Sequence, residues 1–336
     1  MDKQKPSQNK TVLVTGGAGF IGSNFIRYMV KKYPHYNFIN LDALTYAGNL
    51  QSLNDIEGKA NYQFIKGSIT DKEVVNIILQ PGVDYIVNFA AESHVDRSIE
   101  GPEIFFQTNV LGTLVLLEAI RKYRVEKFVQ VSTDEVYGSL GPTGYFTESS
   151  PLAPNSPYAA SKASADLMVN AYYKTFGLVV NITRCSNNYG PYQFPEKLIP
   201  LFVINTFNNN SLPLYGDGLN IRDWLHVKDH CRAIDLVLHR GSTGEVYNIG
   251  GNSEKTNSEI TKFILKTLGK SESLISYVKD RPGHDRRYAI DSTKIKTELG
   301  WHPEYSFEQG LTETIRWYLK NREWWEPIWL SRGSYD

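Results

Sequence analysis

Residues 11–22 read TVLVTGGAGFIG: a β-branched run, Thr11–Thr15, passes into glycines at 16, 19 and 22 and then into an amphipathic stretch over about 23–32. Strand, small-residue turn and helix in that order make one β-loop-α unit. Gly16, Gly19 and Gly22 allow the backbone to approach a diphosphate, and the helix start offers N–H donors and the positive end of its dipole. Asp42 closes the second strand about 20 residues beyond the last glycine, where a carboxylate accepts from ribose hydroxyls and repels a 2′-phosphate. The stretch predicts a dinucleotide-binding fold that takes NAD in preference to NADP. Otherwise the glycines would only close a tight turn and Asp42 would be a solvated charge.

Outward from this unit, similar apolar runs recur at 38–41, 62–65, 85–89, 127–131 and 179–183, most of them separated by helix-like segments. Strands alternating with helices imply an α/β fold with a doubly wound parallel sheet of the Rossmann type. The regularity fades after about Asn187, where Pro191, Pro195 and Pro200 interrupt it and 207–211 reads as a turn. This divides the chain into a disordered extension at 1–9, a nucleotide-binding domain at 10–190, and a smaller α/β lobe at 191–336 interleaved with the last strands. At 336 residues the chain can bury a large core.

Composition excludes several classes of function. Lys+Arg and Asp+Glu are 36 each and cancel, which disfavours a nucleic-acid partner. Hydrophobic residues at 41% and charged residues at 21% are ordinary globular usage, neither disordered nor fibrous. The first ten residues are polar, and no apolar run of about 18 residues is found, so no membrane partner is expected and the default address is cytoplasmic. Cys185 and Cys231 lack metal-ligand spacing and read as buried thiols, with no metal site. Trp317, Trp324, Trp325 and Trp329 crowd one short stretch, as local core or as an interface. No internal repeat is evident.

Two constellations carry chemistry. Tyr158 and Lys162 lie four apart just inside a helix whose start is written Ser156-Pro157, an N-cap followed by proline at the first position, so phenol and ammonium share a face. A free phenol titrates near 10, and lowering it to about 7 takes roughly 4 kcal/mol. One ammonium at about 4 Å in an effective dielectric near 20 supplies about that much. The bland reading is a surface pair. Thr133-Asp134-Glu135 follows the strand at 127–131, at the carboxyl edge where such sheets bind ligands. Adjacent acids can divide labour when their environments separate their pKa values. Neighbours on a strand face opposite ways, so the chain must turn by Asp134. The bland reading here is an acidic first turn of a helix.

With these motifs in place, residues 10–329 resemble the extended short-chain dehydrogenases/reductases that act on nucleotide sugars, in the branch that removes water from dTDP-glucose. The stretches that carry the likeness are the glycine loop, LDALTYAGN from Leu41, AAESHVDRS from Ala90, STDEVYG from Ser132, YAASK from Tyr158, NNYGPYQFPEKLIP from Asn187, YGDGLNIRDWLHVKDH from Tyr215 and DRPGHDRRYAID from Asp280. The resemblance implies that NAD is contacted by the glycines with Phe20 and Ile21, and by Asp42, Ala43, Leu44 and Thr45. Ser68, Ile69, Phe89, Ala90, Ala91 and Glu92 would continue that surface, with Thr108, Asn188, Tyr158 and Lys162 beside them. Ser68 stands where such enzymes usually carry aspartate, and its hydroxyl can accept from the adenine amino group.

The resemblance further implies that the sugar nucleotide is held by Ser93, Thr133, Asn187, Lys197 and Leu198, then by Pro213, Leu214, Tyr215, Arg222 and Asn257, and finally by Asp280, Arg281, Pro282, Gly283 and His284. Arg222, Arg281, Arg286, Arg287 and Lys197 are cations suited to a diphosphate, though each alone reads as a surface salt bridge. His94 and His226 are read as packing or hydrogen-bonding residues. Tyr158, Lys162, Thr133, Asp134 and Glu135 would be the catalytic set of a lyase whose product feeds deoxysugar synthesis, dTDP-rhamnose among the outcomes. Helices over 109–122 and 156–175 would pair two copies into a homodimer. The alternatives are a UDP-sugar 4-epimerase, which has no need of the two acids, a UDP-glucuronate decarboxylase, a CDP-glucose 4,6-dehydratase, and a non-catalytic NAD sensor.

Overall fold

The computed structural model describes residues 9–280 and 282–331, so the expected extension at 1–9 lies almost wholly outside it. The chain divides into two compact units, each drawn from separate stretches. The first comprises the described residues up to Ser132, with Ser156–Arg184 and Cys231–Tyr247; the second comprises Thr133–Asn155, Cys185–His230 and the described residues from Asn248.

The first unit is built on a seven-stranded sheet. Its strands are β1 (Thr11–Thr15), β2 (Asn37–Asp42), β3 (Tyr62–Lys66), β4 (Tyr85–Asn88), β5 (Lys127–Thr133), β6 (Val180–Cys185) and, last in the chain, β10 (Val246–Ile249), in the order β10-β6-β5-β4-β1-β2-β3. The pairs β1–β2, β2–β3, β1–β4 and β4–β5 are parallel, and the order reverses between β1 and β4, the switch point at which doubly wound sheets bind ligands. The fold class expected from the sequence is the one observed. Leu13, Leu41, Ile86, Phe128 and Ile182 belong to one buried cluster that includes Val115, Leu116 and Ile120 from the helix over Gly112–Tyr123. Strands buried on both faces carry such near-continuous apolar runs.

The helices of this unit are α1 (Phe20–Lys32), α2 (Lys72–Leu79), α3 (Val95–Glu100), α4 (Glu103–Phe105), α5 (Gly112–Tyr123), α6 (Pro157–Phe176) and the later part of α8 (Val227–Arg240). Gly19 is the N-cap of α1, so the helix begins at Phe20, a turn before the expected Ser23. Ser156 caps α6 by accepting from the Ala159 N–H, with Pro157 at the first turn, and Gly177 ends it at φ +68°. α4 runs through a π turn at Phe106–Leu111 into α5. This helical run, Glu103–Tyr123, is long and apolar enough by length and composition to cross a membrane, although Gln107, Thr108, Asn109 and Glu118 interrupt its apolar residues. Half of it is buried in the protein, with Asn109 and Thr113 among the buried residues, so it is a core helix here.

The second unit contains β7 (Asn187–Tyr189), α7 (Leu198–Phe207), β8 (Leu212–Tyr215), β9 (Ile221–His226), β11 (Glu254–Thr256), α9 (Asn257–Thr267), β12 (Ile275–Val278), α10 (Thr293–Leu299), α11 (Phe307–Lys320) and α12 (Arg322–Ser331). β11-β9-β7 form one small sheet and β12-β8 another. Tyr189, Phe202, Ile264, Leu311, Trp324 and Trp325 share its core, with Trp317 and Trp329 packed against it, so the clustered tryptophans are local core. Cys185 and Cys231 are buried, as expected.

β6 and α6 are joined by a buried ion pair, Arg184 Nε to Asp166 Oδ2 at 2.9 Å, with side chains 6% and 1% exposed. Removing one partner strands the other charge out of water. Arg184→Met should therefore cost about 3–5 kcal/mol in urea denaturation, and adding Asp166→Leu should recover most of it.

Candidate active site

In the first unit, the glycine loop is fixed by contact of backbone against backbone. Gly16 has φ +68°, and a Cβ there would meet the Ala90 N at 2.6 Å; a Cβ on Gly22 would collide with the Gly16 carbonyl. Gly19 differs, since its Cβ would meet only the Gly16 oxygen at 3.3 Å. The side open at Gly19 lies over the start of α1, where no side chain caps the helix and no acid occupies the first turn. A diphosphate fits that cradle. Asp42 is 8% exposed and accepts from the Ala18 N–H at 2.9 Å and the Leu44 N–H at 2.8 Å, so it braces both loops. Burial pushes its carboxyl up, and the two N–H bonds oppose that. Ile69 is buried against Gly112, and the Ser68 hydroxyl hydrogen-bonds that of Thr70 at 2.8 Å.

The sequence did not single out the polar network beneath this cradle. Thr15 Oγ1 donates to Asn88 Oδ1 at 2.5 Å, and Asn88 Nδ2 to Gln130 Oε1 at 2.8 Å, which crosses the ends of β1, β4 and β5. The Ala90 N–H reaches Thr15 Oγ1 at 3.3 Å. Asn109, 2% exposed, clasps the backbone of Glu92 through both amide atoms and donates to Ser161 Oγ at 2.8 Å; Ser161 in turn donates to the Tyr158 carbonyl at 2.7 Å. The available signal was an asparagine in an otherwise apolar helix.

Tyr158 and Lys162 are one turn apart on α6, 9% and 4% exposed. Phe105 meets the Tyr158 ring edge-on at 6.4 Å. Lys162 Nζ donates to the Val131 carbonyl on β5 at 2.7 Å. The ammonium is thereby anchored to the sheet by a neutral backbone partner.

In the second unit, Thr133 ends β5 and the chain turns at once into a 3-10 turn at Asp134–Tyr137, capped by Thr133 Oγ1 accepting from the Glu135 N–H at 3.3 Å. The turn required for the two acids to diverge is present. Asp134 is 2% exposed while Glu135 is half-buried. Burial pushes the Asp134 carboxyl well above the usual range, and the carboxylates of Glu135 and Asp223 add to the effect, with Arg222 opposing it. Arg222, 6% exposed, lies 4.4 Å over the Tyr288 ring and donates to the carbonyls of Ile221 and Asp285.

Among the residues expected to hold the sugar nucleotide, Asp280 Oδ1 lies 2.6 Å from His284 Nδ1, and the His284 ring stands edge-on to Tyr215. Gly283 sits at φ +65°, where a Cβ would touch the Asn155 carbonyl at 3.0 Å. Asn187 Oδ1 is buried with no partner among the described residues, an acceptor available to a ligand. Lys197 is the N-cap of α7, Leu198 begins that helix, and Pro213, Leu214 and Tyr215 lie on β8. Asn257 is buried at the start of α9. The Asn188 amide is taken up by the Ser186 carbonyl and His230. Arg286 grips Asp217 through both terminal nitrogens and Arg287 grips Glu254, so these two guanidiniums serve the protein itself. Arg281 lies outside the described residues. His94 caps α3, and His226 stacks on Tyr305 at 3.9 Å, held neutral by burial to about 3.

A glycine cradle at the switch point with a Tyr-Lys pair marks a short-chain dehydrogenase-like nucleotide-sugar enzyme, and the family profile described as GDP-mannose 4,6 dehydratase matches residues 13–314: the chain belongs to that family. Its curated relatives include the dTDP-glucose 4,6-dehydratase of Xanthomonas campestris pv. campestris (strain B100), 56% identical with 97% of each chain covered. A crystal structure of the dTDP-glucose 4,6-dehydratase of Bacillus anthracis in complex with NAD superposes at TM-score 0.90 and 60% identity, over 95% of this chain and 99% of that one. The Streptomyces venezuelae dTDP-glucose 4,6-dehydratase, solved with NAD bound, gives 0.92 and 54% over 95% and 99%.

The Asp134 environment has a measurable consequence for stability. A carboxyl whose folded pKa is raised binds its proton more tightly when folded, so its contribution is full below the unfolded value, near 3.9, and is lost as pH rises toward the folded value. Asp134→Asn has no such proton to lose. Its stability relative to the parent chain should rise in urea titrations as pH is raised above about 3.9; a flat difference would show that the carboxyl is not raised.

Proposed function

We propose that the chain catalyses the NAD-dependent dehydration of dTDP-glucose to dTDP-4-keto-6-deoxyglucose. The observation that carries this reading is the pairing, on one chain, of an anchored Tyr158-Lys162 couple with a Thr133-Asp134-Glu135 turn in which burial strengthens the hold of Asp134 on its proton. A 4-epimerase needs the first and has no use for the second. The relatives named above support the same reaction and the same cofactor.

Bound over the Gly16–Gly19–Gly22 cradle with Asp42 on its ribose, NAD supplies a hydride acceptor for C4 of the sugar and a hydride donor for C6. The protein moves the protons. Tyr158 takes the proton of the O4 hydroxyl, and the Lys162 charge, worth about 4 kcal/mol at an effective dielectric near 20, lets a phenolate exist near neutrality. Thr133 hydrogen-bonds the sugar hydroxyl. Once C4 is a ketone, the C5 proton is acidic and Glu135 removes it. Asp134, protonated at rest, gives its proton to the C6 hydroxyl, which leaves as water. Glu135 then returns a proton to C5, and the proton gained by Tyr158 balances the one lost by Asp134 through solvent.

We also infer a homodimer and a cytoplasmic address. Ile104, Phe106 and Leu111 on one helical run and Leu167 on α6 are between 41% and 60% exposed, an apolar face suited to a second copy. A chain with only two cysteines, both buried, suits a reducing compartment.

Two outcomes test these readings. dTDP-glucose deuterated at C4 should give a 4-keto-6-deoxy product, followed by NMR, with the label in the C6 methyl group, because intramolecular return avoids about 7–11 kcal/mol of encounter cost; label returned to C4 would make the chain an epimerase. Leu111→Asp with Leu167→Asp should reduce the mass found by light scattering from two chains to one, and a parent that already scatters as a monomer would refute the dimer.

A further inference from the structure

The tryptophans crowded near the end of the chain take no part in the chemistry above. Among the described residues, five non-glycine residues have a left-handed backbone, and Tyr192, at φ +68°, is the bulkiest of them. A side chain is disfavoured in that conformation, which persists only where the surroundings over-determine it. At Tyr192 the surroundings are α11 and α12. Its ring centroid lies 4.6 Å from that of Trp317 and stands edge-on to Trp324 at 5.5 Å, and the two tryptophans meet each other at 5.3 Å. The next residue, Gln193, is held twice: the buried Tyr318 hydroxyl donates to its main-chain carbonyl at 2.5 Å, and its own Nε2 donates to the Asn188 carbonyl at 2.9 Å. Trp325 Nε1 fixes the Tyr318 carbonyl at 2.7 Å. At the other end of α11, Gly310 has no room for a Cβ because the Tyr189 ring lies against it.

The contacts to Tyr192 and Gln193 fall on one short piece of chain. Residues 190–197 run from β7, which carries Asn187, to Lys197, the N-cap of α7. Pro191 and Pro195 fix their own φ, which leaves Tyr192, Gln193 and Phe194 to decide the path between them. We propose that α11 and α12 form a brace that sets the path of residues 190–197, and that Trp317, Tyr318 and Trp324 are positioning residues for binding of the nucleotide-sugar diphosphate by Asn187 and Lys197. The inference rests on the function proposed above. A segment ordered in the free protein adds no ordering cost when ligand binds. Without the brace Tyr192 would leave the left-handed region, and that cost would fall on binding, while Tyr158 and Glu135, which lie outside the segment, would work as before.

Full-length Trp324→Ala, Trp324→Phe and Tyr318→Phe test this. Trp324→Ala should raise KM for dTDP-glucose about tenfold with kcat within about twofold of the parent, the pattern of lost uniform binding, and Trp324→Phe should restore KM. Tyr318→Phe should raise KM a few-fold. Amides of residues 192–197 should exchange hydrogen faster in Trp324→Ala while those of β1 and α1 stay unchanged. An unchanged KM, a loss confined to kcat, or unchanged exchange in 192–197 would overturn the brace. A parent chain inactive on dTDP-glucose, with faster exchange in the variant, would instead overturn the proposed substrate and leave the brace standing.

Discussion

An ammonium withdrawn from water must be stabilised by polar partners, and Lys162 takes one of its partners from the edge of the sheet. The Val131 carbonyl, a neutral partner at 2.7 Å, holds the ammonium one turn from the phenol on which its field acts. That bond also ties α6 to β5. Val131 is two residues before Thr133, where the strand ends, and the turn that begins there separates Asp134 from Glu135. The register of one strand against one helix thus sets where the phenol stands, where the ammonium stands, and where the chain leaves the sheet toward the acids. A carboxylate in place of the carbonyl would hold the lysine as firmly and remove its use.

Buried polar side chains elsewhere in the first unit work as spacers between strand ends. Thr15, Asn88 and Gln130 are each almost fully buried, and they form a chain of donors and acceptors across three adjacent strands where a sheet of purely apolar residues would have closed up. Asn109 does the same between a loop and a helix, and its three amide contacts are one short of the four that such a side chain can make. Networks of this kind specify one geometry, since any shift leaves a buried group unpaired.

The features legible in the sequence are those whose physics is local. The glycine spacing, Asp42 at a strand end, Ser156-Pro157 before a helix and the acids after a strand each depend on neighbours within a few residues, and each stands where it was expected. Asn109 and Gln130 were not legible as functional because their partners, Glu92, Ser161 and Asn88, are distant in sequence. Arg286 and Arg287 look like diphosphate ligands until their carboxylate partners appear, 69 and 33 residues away. The conformation of Tyr192 was hidden for the same reason: a tyrosine carries no sign that rings from two helices at the far end of the chain will hold it left-handed. The helix over 109–122 was read for its apolar face alone, which hid the part that the buried Asn109 plays in anchoring the Glu92 loop.

The chain passes from one compact unit to the other five times, after Ser132, Asn155, Arg184, His230 and Tyr247. Neither unit is a contiguous stretch of the gene, so neither can be moved to another protein by exchanging one segment. Synthesis has a matching constraint. The strands that precede Ser132 have left the ribosome long before β10, which completes their sheet, has been made. At 5–20 residues per second the wait is roughly ten seconds, during which Val12, Leu13, Val14, Ile86 and Val87 belong to an unfinished sheet. Close backbone packing such as that at Gly16 and Ala90 joins β1 to the end of β4 well within the early part of the chain, and so gives the nascent protein something to hold while it waits.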